Sequence, residues 1–183
     1  MKKKKSSFGW IIVVLAVAFA VFLVRHFHIK NFNIIEPDVL YTSGQPRGMD
    51  YTRLLYKYHI ATIVSVRMPS EHIEKNWHNE EITWVRNNGV KYEELPIDRS
   101  IDRSNYFPDM ITQRQFLELM SDKQNLPVLV HGSSGRKRVA MLAAVWLIKG
   151  KGLSVDETAR MVEKIKSKQV TNEEMKFLQE LKN

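Results

Sequence analysis

The run Val128-Leu129-Val130-His131-Gly132-Ser133-Ser134-Gly135-Arg136-Lys137-Arg138 changes character twice within eleven residues. Pro127 to Val130 is a short apolar run of the kind that forms a buried strand, and Val139 to Ile148 is apolar or alanine at nearly every position, as a buried helix requires. Between them lies a loop of small residues ending in three cations. Small residues let successive backbone N–H groups converge on one point, and the helix that follows adds its positive N-terminal end. The loop is therefore suited to an anion such as phosphate or sulfate. Arg138 adds a planar fork that can hold two anion oxygens at once, which a lysine cannot do. Taken without its neighbours, Gly132 to Gly135 is also an ordinary strand-to-helix turn rich in small residues.

The run resembles the signature of cysteine-dependent tyrosine and dual-specificity phosphatases: His-Cys, five residues, Arg, then Ser or Thr. His131, Gly135 and Arg138 match it. Gly132 stands where the nucleophilic cysteine belongs, and Val139 where the hydroxyl residue follows the arginine. The resemblance implies an α/β fold of the dual-specificity phosphatase type, a central and mostly parallel sheet flanked by helices. It also implies a site in which residues 132–138 bind phosphate and His131 orients the loop. In that family the cysteine thiolate attacks phosphorus, and glycine offers no atom that can do so. No other cysteine can substitute, because the chain has none. Ser133 and Ser134 are poor nucleophiles without an adjacent base. The family's general acid is an aspartate on a loop after a strand; Asp98 is the first choice here and Asp102 the second. Solvated loop carboxylates beside Arg99 and Arg103 are the plain alternative for both.

The resemblance extends upstream. Leu40 to Pro46 is similar to the entry segment of bacterial dual-specificity-like phosphatases, a short strand leading into a turn. A helix over Asp50 to Tyr58 and a strand over Ala61 to Val66 follow in βαβ rhythm. Glu71 to Asn88 reads as a helix stopped at Gly89, Lys91 to Ile97 as a strand, and about Asp109 to Asp122 as a helix. Two C-terminal helices start at Ser154 and Thr171, each with a glutamate three residues on, the reciprocal capping arrangement. His72 and His78, six apart, are off the spacing that shares one helix face, and no Cys or His cluster has metal spacing. Neither a metal nor a cofactor is expected.

Phe8 to Val24 is seventeen residues without a charge, preceded by Lys2 to Lys5 and followed by Arg25. It reads as one transmembrane helix near the lower length limit for spanning a bilayer. A cleaved signal peptide is the rival, with Ala18 and Ala20 as the small-residue pair, and hydrophobicity continuing through Val24 argues against it. The expected organisation is a basic N-terminus at 1–7, a span at 8–24, a linker at 25–38 and a phosphatase-like domain at 39–183. The lysines place the N-terminus in the cytoplasm and the domain on the extracytoplasmic side. All six charges in residues 1–30 are positive, so the rest carries 22 basic against 20 acidic residues of the total +8. Nucleic acid, which wants a basic face across the folded domain, is not an expected partner.

The leading expectation is a membrane-anchored phosphatase-like protein, a pseudophosphatase. It would bind a phosphorylated protein, a phospholipid or a small phosphate ester without efficient hydrolysis. The alternatives are an active phosphatase seen here in nucleophile-deleted form, and a membrane-tethered interaction protein whose pocket is unused.

Overall fold

Val128, Leu129 and Val130 are buried without remainder because their strand lies at the centre of a sheet covered on both faces. The computed structural model describes residues 7–73, 75–98 and 106–182. Within them the sheet has five strands: β1 (Asn33–Glu36), β2 (Leu40–Ser43), β3 (Thr62–Ser65), β4 (Lys91–Glu94) and β5 (Val128–His131). Their order is β1-β2-β5-β3-β4, with β1 antiparallel to β2 and the other pairings parallel. The helices are α1 (Ser7–Phe27), α2 (Met49–Tyr56), α3 (Asn76–Asn88), α4 (Met110–Ser121), α5 (Lys137–Val145), α6 (Val155–Lys166) and α7 (Asn172–Lys182). This is the α/β architecture with a mostly parallel sheet that the sequence predicts.

Strand alternation divides the core in two. Leu40, Val64, Val128 and Val130 face Phe116 of α4, Met141 and Leu142 of α5, Val162 of α6 and Leu178 of α7. Tyr41, Ile63 and Leu129 face the other way, onto Tyr51 and Leu54 of α2 and Val85 of α3. Helix α5 is buried from Arg138 to Val145, which explains its run of alanines and branched aliphatics. Each large aliphatic side chain buried there contributes about 2 kcal/mol. Both expected caps form. Ser154 and Glu157 cap each other's N–H groups at the start of α6, and Thr171 and Glu174 do so before α7.

The parallel strands finish level, with Ser43 and Ser65 both opposite His131. Their C-terminal edge is where ligands collect in such sheets, and the loop from β5 to α5 leaves from its middle.

Three expectations change. Helix α3 starts at Asn76 rather than Glu71, because Pro69–Glu71 forms a separate 3₁₀ turn in which the Glu71 carboxylate accepts the Met68 N–H. Asn33–Glu36, read as linker, joins the sheet as edge strand β1. The apolar N-terminal run does form a helix, α1, and its residues 9–20 are exposed. Among the described residues, however, no helix is long and apolar enough to cross a membrane, so the expected transmembrane helix is not borne out by the fold.

Candidate functional site

Residues 132–139 and Tyr106 line a cavity of about 220 Å³ at the head of α5. The loop's path is fixed by a backbone approach. Gly135 has φ +68°, and a Cβ there would collide with the Gly44 nitrogen and the Ser43 carbonyl group. Only glycine meets both conditions. Gly132 differs: a Cβ would sit 3.1 Å from Val66 Cγ2 and 3.3 Å from Val139 Cγ2, a fit needing a few tenths of an ångström. Gly132 is therefore not demanded by its backbone, and a small side chain fits there once Val66 and Val139 give by a few tenths of an ångström.

Two residues ahead of the sheet hold the loop from outside. Lys30 Nζ donates to the Ser133 carbonyl at 3.1 Å, and Asn31 Nδ2 donates to the Ser134 carbonyl at 2.7 Å. A trans peptide points its C=O and the next N–H in opposite directions. Binding those two carbonyls outward thus turns the N–H groups of Ser134 and Gly135 away from Lys30 and Asn31.

Arg138 is 8% exposed. Its Nη1 donates to the Val66 carbonyl at 3.1 Å and to Glu71 Oε1 at 2.6 Å, and its Nη2 donates to Glu71 Oε2 at 3.1 Å. This is the paired fork of a guanidinium on a carboxylate. It occupies one edge of the guanidinium plate and leaves Nε and the second Nη2 proton as the other edge, which matches two oxygens of a tetrahedral anion. Burial works to raise the Glu71 carboxyl, but the hydrogen bonds and charge of Arg138, the Met68 N–H and Arg67 hold it below the ordinary value. Arg67 Nε lies 3.4 Å from Glu71 Oε2, so this carboxylate sits between two cations.

His131 is fully buried under the loop, with Nε2 3.2 Å from Glu81 Oε1 on α3. Burial pushes the Glu81 carboxyl up to about 7 against hydrogen bonds from Gln45 Nε2 and the Tyr51 hydroxyl. Burial, then Arg67 and His78, pull His131 down to about 3. Both its nitrogens are buried without a hydrogen-bond partner, and an imidazole with so low an affinity for protons is a poor base for Ser133 or Ser134.

Of the remaining expected residues, Arg136 and Lys137 line the cavity and are exposed, and Lys137 Nζ also lies 5.0 Å from the Tyr106 ring centre. Asp98 is exposed, outside the cavity lining, and follows Ile97, whose carbonyl lies 3.5 Å from Arg138 Nη1. Asp102 lies outside the described residues. Glu71, Lys30, Asn31 and Glu81 were not foreseen. Glu71 stands four residues after Arg67, which signals a local ion pair, but nothing in the sequence joins it to Arg138 across 67 positions.

Residues 40–183 match the family model of the dual specificity phosphatase catalytic domain. The chain is 29% identical over 119 residues to the tyrosine-protein phosphatase-like protein OCA2 of Saccharomyces cerevisiae, covering 63% of this chain and 55% of that protein. It thus spans about half the length of that relative. Among solved structures, the catalytic core of the PP-IP phosphatase SIW14 from S. cerevisiae, in complex with citrate, superposes with TM-score 0.66 at 15% identity. It covers 82% of this chain and 85% of that one. PTPMT1 in complex with PI(5)P does so with TM-score 0.66 at 19% identity, covering 82% and 94%. At these identities the likeness is one of fold.

Proposed function

Because this chain belongs to the dual specificity phosphatase catalytic-domain family, we propose that it binds phosphate esters in the loop at residues 132–138 and does not turn them over through a covalent intermediate. The observation that carries this reading is Gly132. It follows the buried His131 at the cavity floor, where a nucleophile would lie under the anion, and it has no side chain. Every other requirement for ground-state binding is met by the glycine-rich turn, the head of α5 and the free edge of Arg138. Uniform binding of this kind needs no sulfur, whereas attack on phosphorus does. The hydroxyls of Ser133 and Ser134 gain nothing from His131, which is turned toward Glu81.

Two structural neighbours support phosphate esters as the ligand class. SIW14 is named for a PP-IP substrate, and PTPMT1 was captured with a phosphoinositide. Phosphate esters of this chemistry present terminal oxygens that the loop can hold. We assign Asp98 the place of the acid in the parent reaction, where it would protonate a leaving oxygen. Membrane attachment belongs to the same proposal. Phe8 to Val24 carries no charge, Lys2 to Lys5 precede it, and the side chains of residues 9–20 face outward.

The test uses the purified full chain in detergent. Orthophosphate binds measurably by calorimetry, Arg138→Ala weakens it tenfold or more, and an aryl phosphate is hydrolysed no faster than in buffer. Release of orthophosphate by the unaltered chain, at a rate abolished by Arg138→Ala, overturns the reading. A second reading, an active phosphatase lacking only its nucleophile, is favoured by the space at Gly132. If it holds, Gly132→Cys gains turnover on the aryl phosphate; if Val139 and the rest of the site have diverged, it does not.

A further inference from the structure

His72, His78 and Glu94 come together just after the Glu71 turn. The chain reaches this arrangement by two successive turns: Lys75 N–H donates to the His72 carbonyl and His78 N–H to the Lys75 carbonyl. That path places residues six apart side by side, with imidazole centres 4.2 Å apart and rings nearly parallel. Glu94, the last residue of β4, brings Oε1 to 3.4 Å from His72 Nδ1. One donor atom from each of the three lies within 4.8 Å of the others.

Two further observations point to a ligand. The His72 side chain is 8% exposed, yet its Nε2 is buried with no hydrogen-bond partner, and His78 Nδ1 is likewise buried and unpartnered. Trp77 closes one side, its ring edge-on to His72 at 5.4 Å, and carries Arg67 at 3.9 Å from its centre. The donors offered are two imidazole nitrogens and one carboxylate oxygen.

We propose that His72, His78 and Glu94 form a binding site for a divalent transition-metal ion of the zinc type. Two imidazoles and a carboxylate suit such an ion and leave a fourth position for water. Bonds of about 2.0–2.1 Å around a tetrahedral ion set donors about 3.4 Å apart, so side-chain rotation has to close the triad by little more than an ångström. The ion would tie the turn before α3 to the end of β4. This site does not depend on whether the loop turns over phosphate.

The experiment uses the full, tag-free chain in detergent, stripped of metal by chelation and titrated with Co²⁺ and then Zn²⁺. Expected are visible d–d bands that saturate at one equivalent, are displaced by Zn²⁺, and accompany a rise in melting temperature. His72→Ala and His78→Ala abolish the bands, Glu94→Gln weakens binding at least tenfold, and His28→Ala changes nothing. His78 is half-buried and Glu94 exposed, so these variants keep the test open if His72→Ala does not fold. Absence of the bands in the unaltered chain overturns the proposal, as does a titration that His78→Ala leaves unchanged.

Discussion

Two glycines three residues apart have opposite meanings, and substitution separates them. Gly135→Ala forces a methyl group into the Ser43–Gly44 backbone at a left-handed φ, and neither backbone segment can yield. A loss of about 3 kcal/mol is expected in urea unfolding, together with loss of orthophosphate binding. The buried pair beneath the loop makes a second prediction. Between pH 4.5 and 6.5 the unfolded chain carries one proton on this pair, on His131, and the folded chain also carries one, on Glu81. Equal proton numbers give no slope. Glu81→Gln removes the folded-state proton while the unfolded histidine keeps its own. Stability of that variant therefore climbs with pH across the same window by up to about 1.4 kcal/mol per unit, where the parent pair contributes none. Urea unfolding at both ends of the window, parent against variant, measures the difference. Gly132, Arg138 and His131 were legible in the sequence because a signature fixes their spacing. Glu71 and Glu81 were not, since each reaches its partner across the sheet, from 67 and 50 residues away.

At the scale of elements, the strands and most helices were readable because their apolar periods are plain, and the double cap at α6 and α7 is a local signal. What failed was local to two places. Pro69 diverted the chain into a short turn before α3, so helical spacing did not apply between Glu71 and the start of α3 at Asn76, and His72 and His78 met although the periodicity set them apart. The segment after α1 was read as a linker, yet it contributes β1 and the two side chains that brace the loop. This bracing has a measurable consequence. Asn31 has φ +46° and donates a 2.7 Å bond to Ser134, so Asn31→Ala removes one hydrogen bond of about 1 kcal/mol from the loop's outer side. Orthophosphate affinity is expected to fall by up to about fivefold and the melting temperature by a few degrees, and Lys30→Ala to act in the same direction more weakly because its bond is exposed. Unaltered affinity in the double variant would show that the carbonyls need no brace.

On the scale of the whole molecule, charge and apolar surface are segregated. The folded part beyond residue 30 is nearly neutral, with 22 basic against 20 acidic residues, while six of the eight excess positive charges precede it. Trp10, Leu15 and Phe19 are each more than 60% exposed, a patch that an isolated soluble protein has no reason to keep. The same helix leads, through Ile29 in the core and Lys30 and Asn31, directly into the loop's brace, so whatever holds α1 also bears on the anion site. The proposed membrane attachment would cover this patch, with four lysines on one side of the uncharged run and Arg25 and Lys30 on the other. The prediction is specific and the chain is well suited to it, because it contains no cysteine. Single cysteines introduced at Ser6 and at Lys182 report on opposite ends without background. In intact cells a membrane-impermeant maleimide should label the Lys182→Cys chain and spare the Ser6→Cys chain, and both should remain in the membrane fraction after alkaline extraction. Labelling of both from outside, or release of the chain by alkali, would mean that α1 does not anchor the domain and that its apolar face has some other cover.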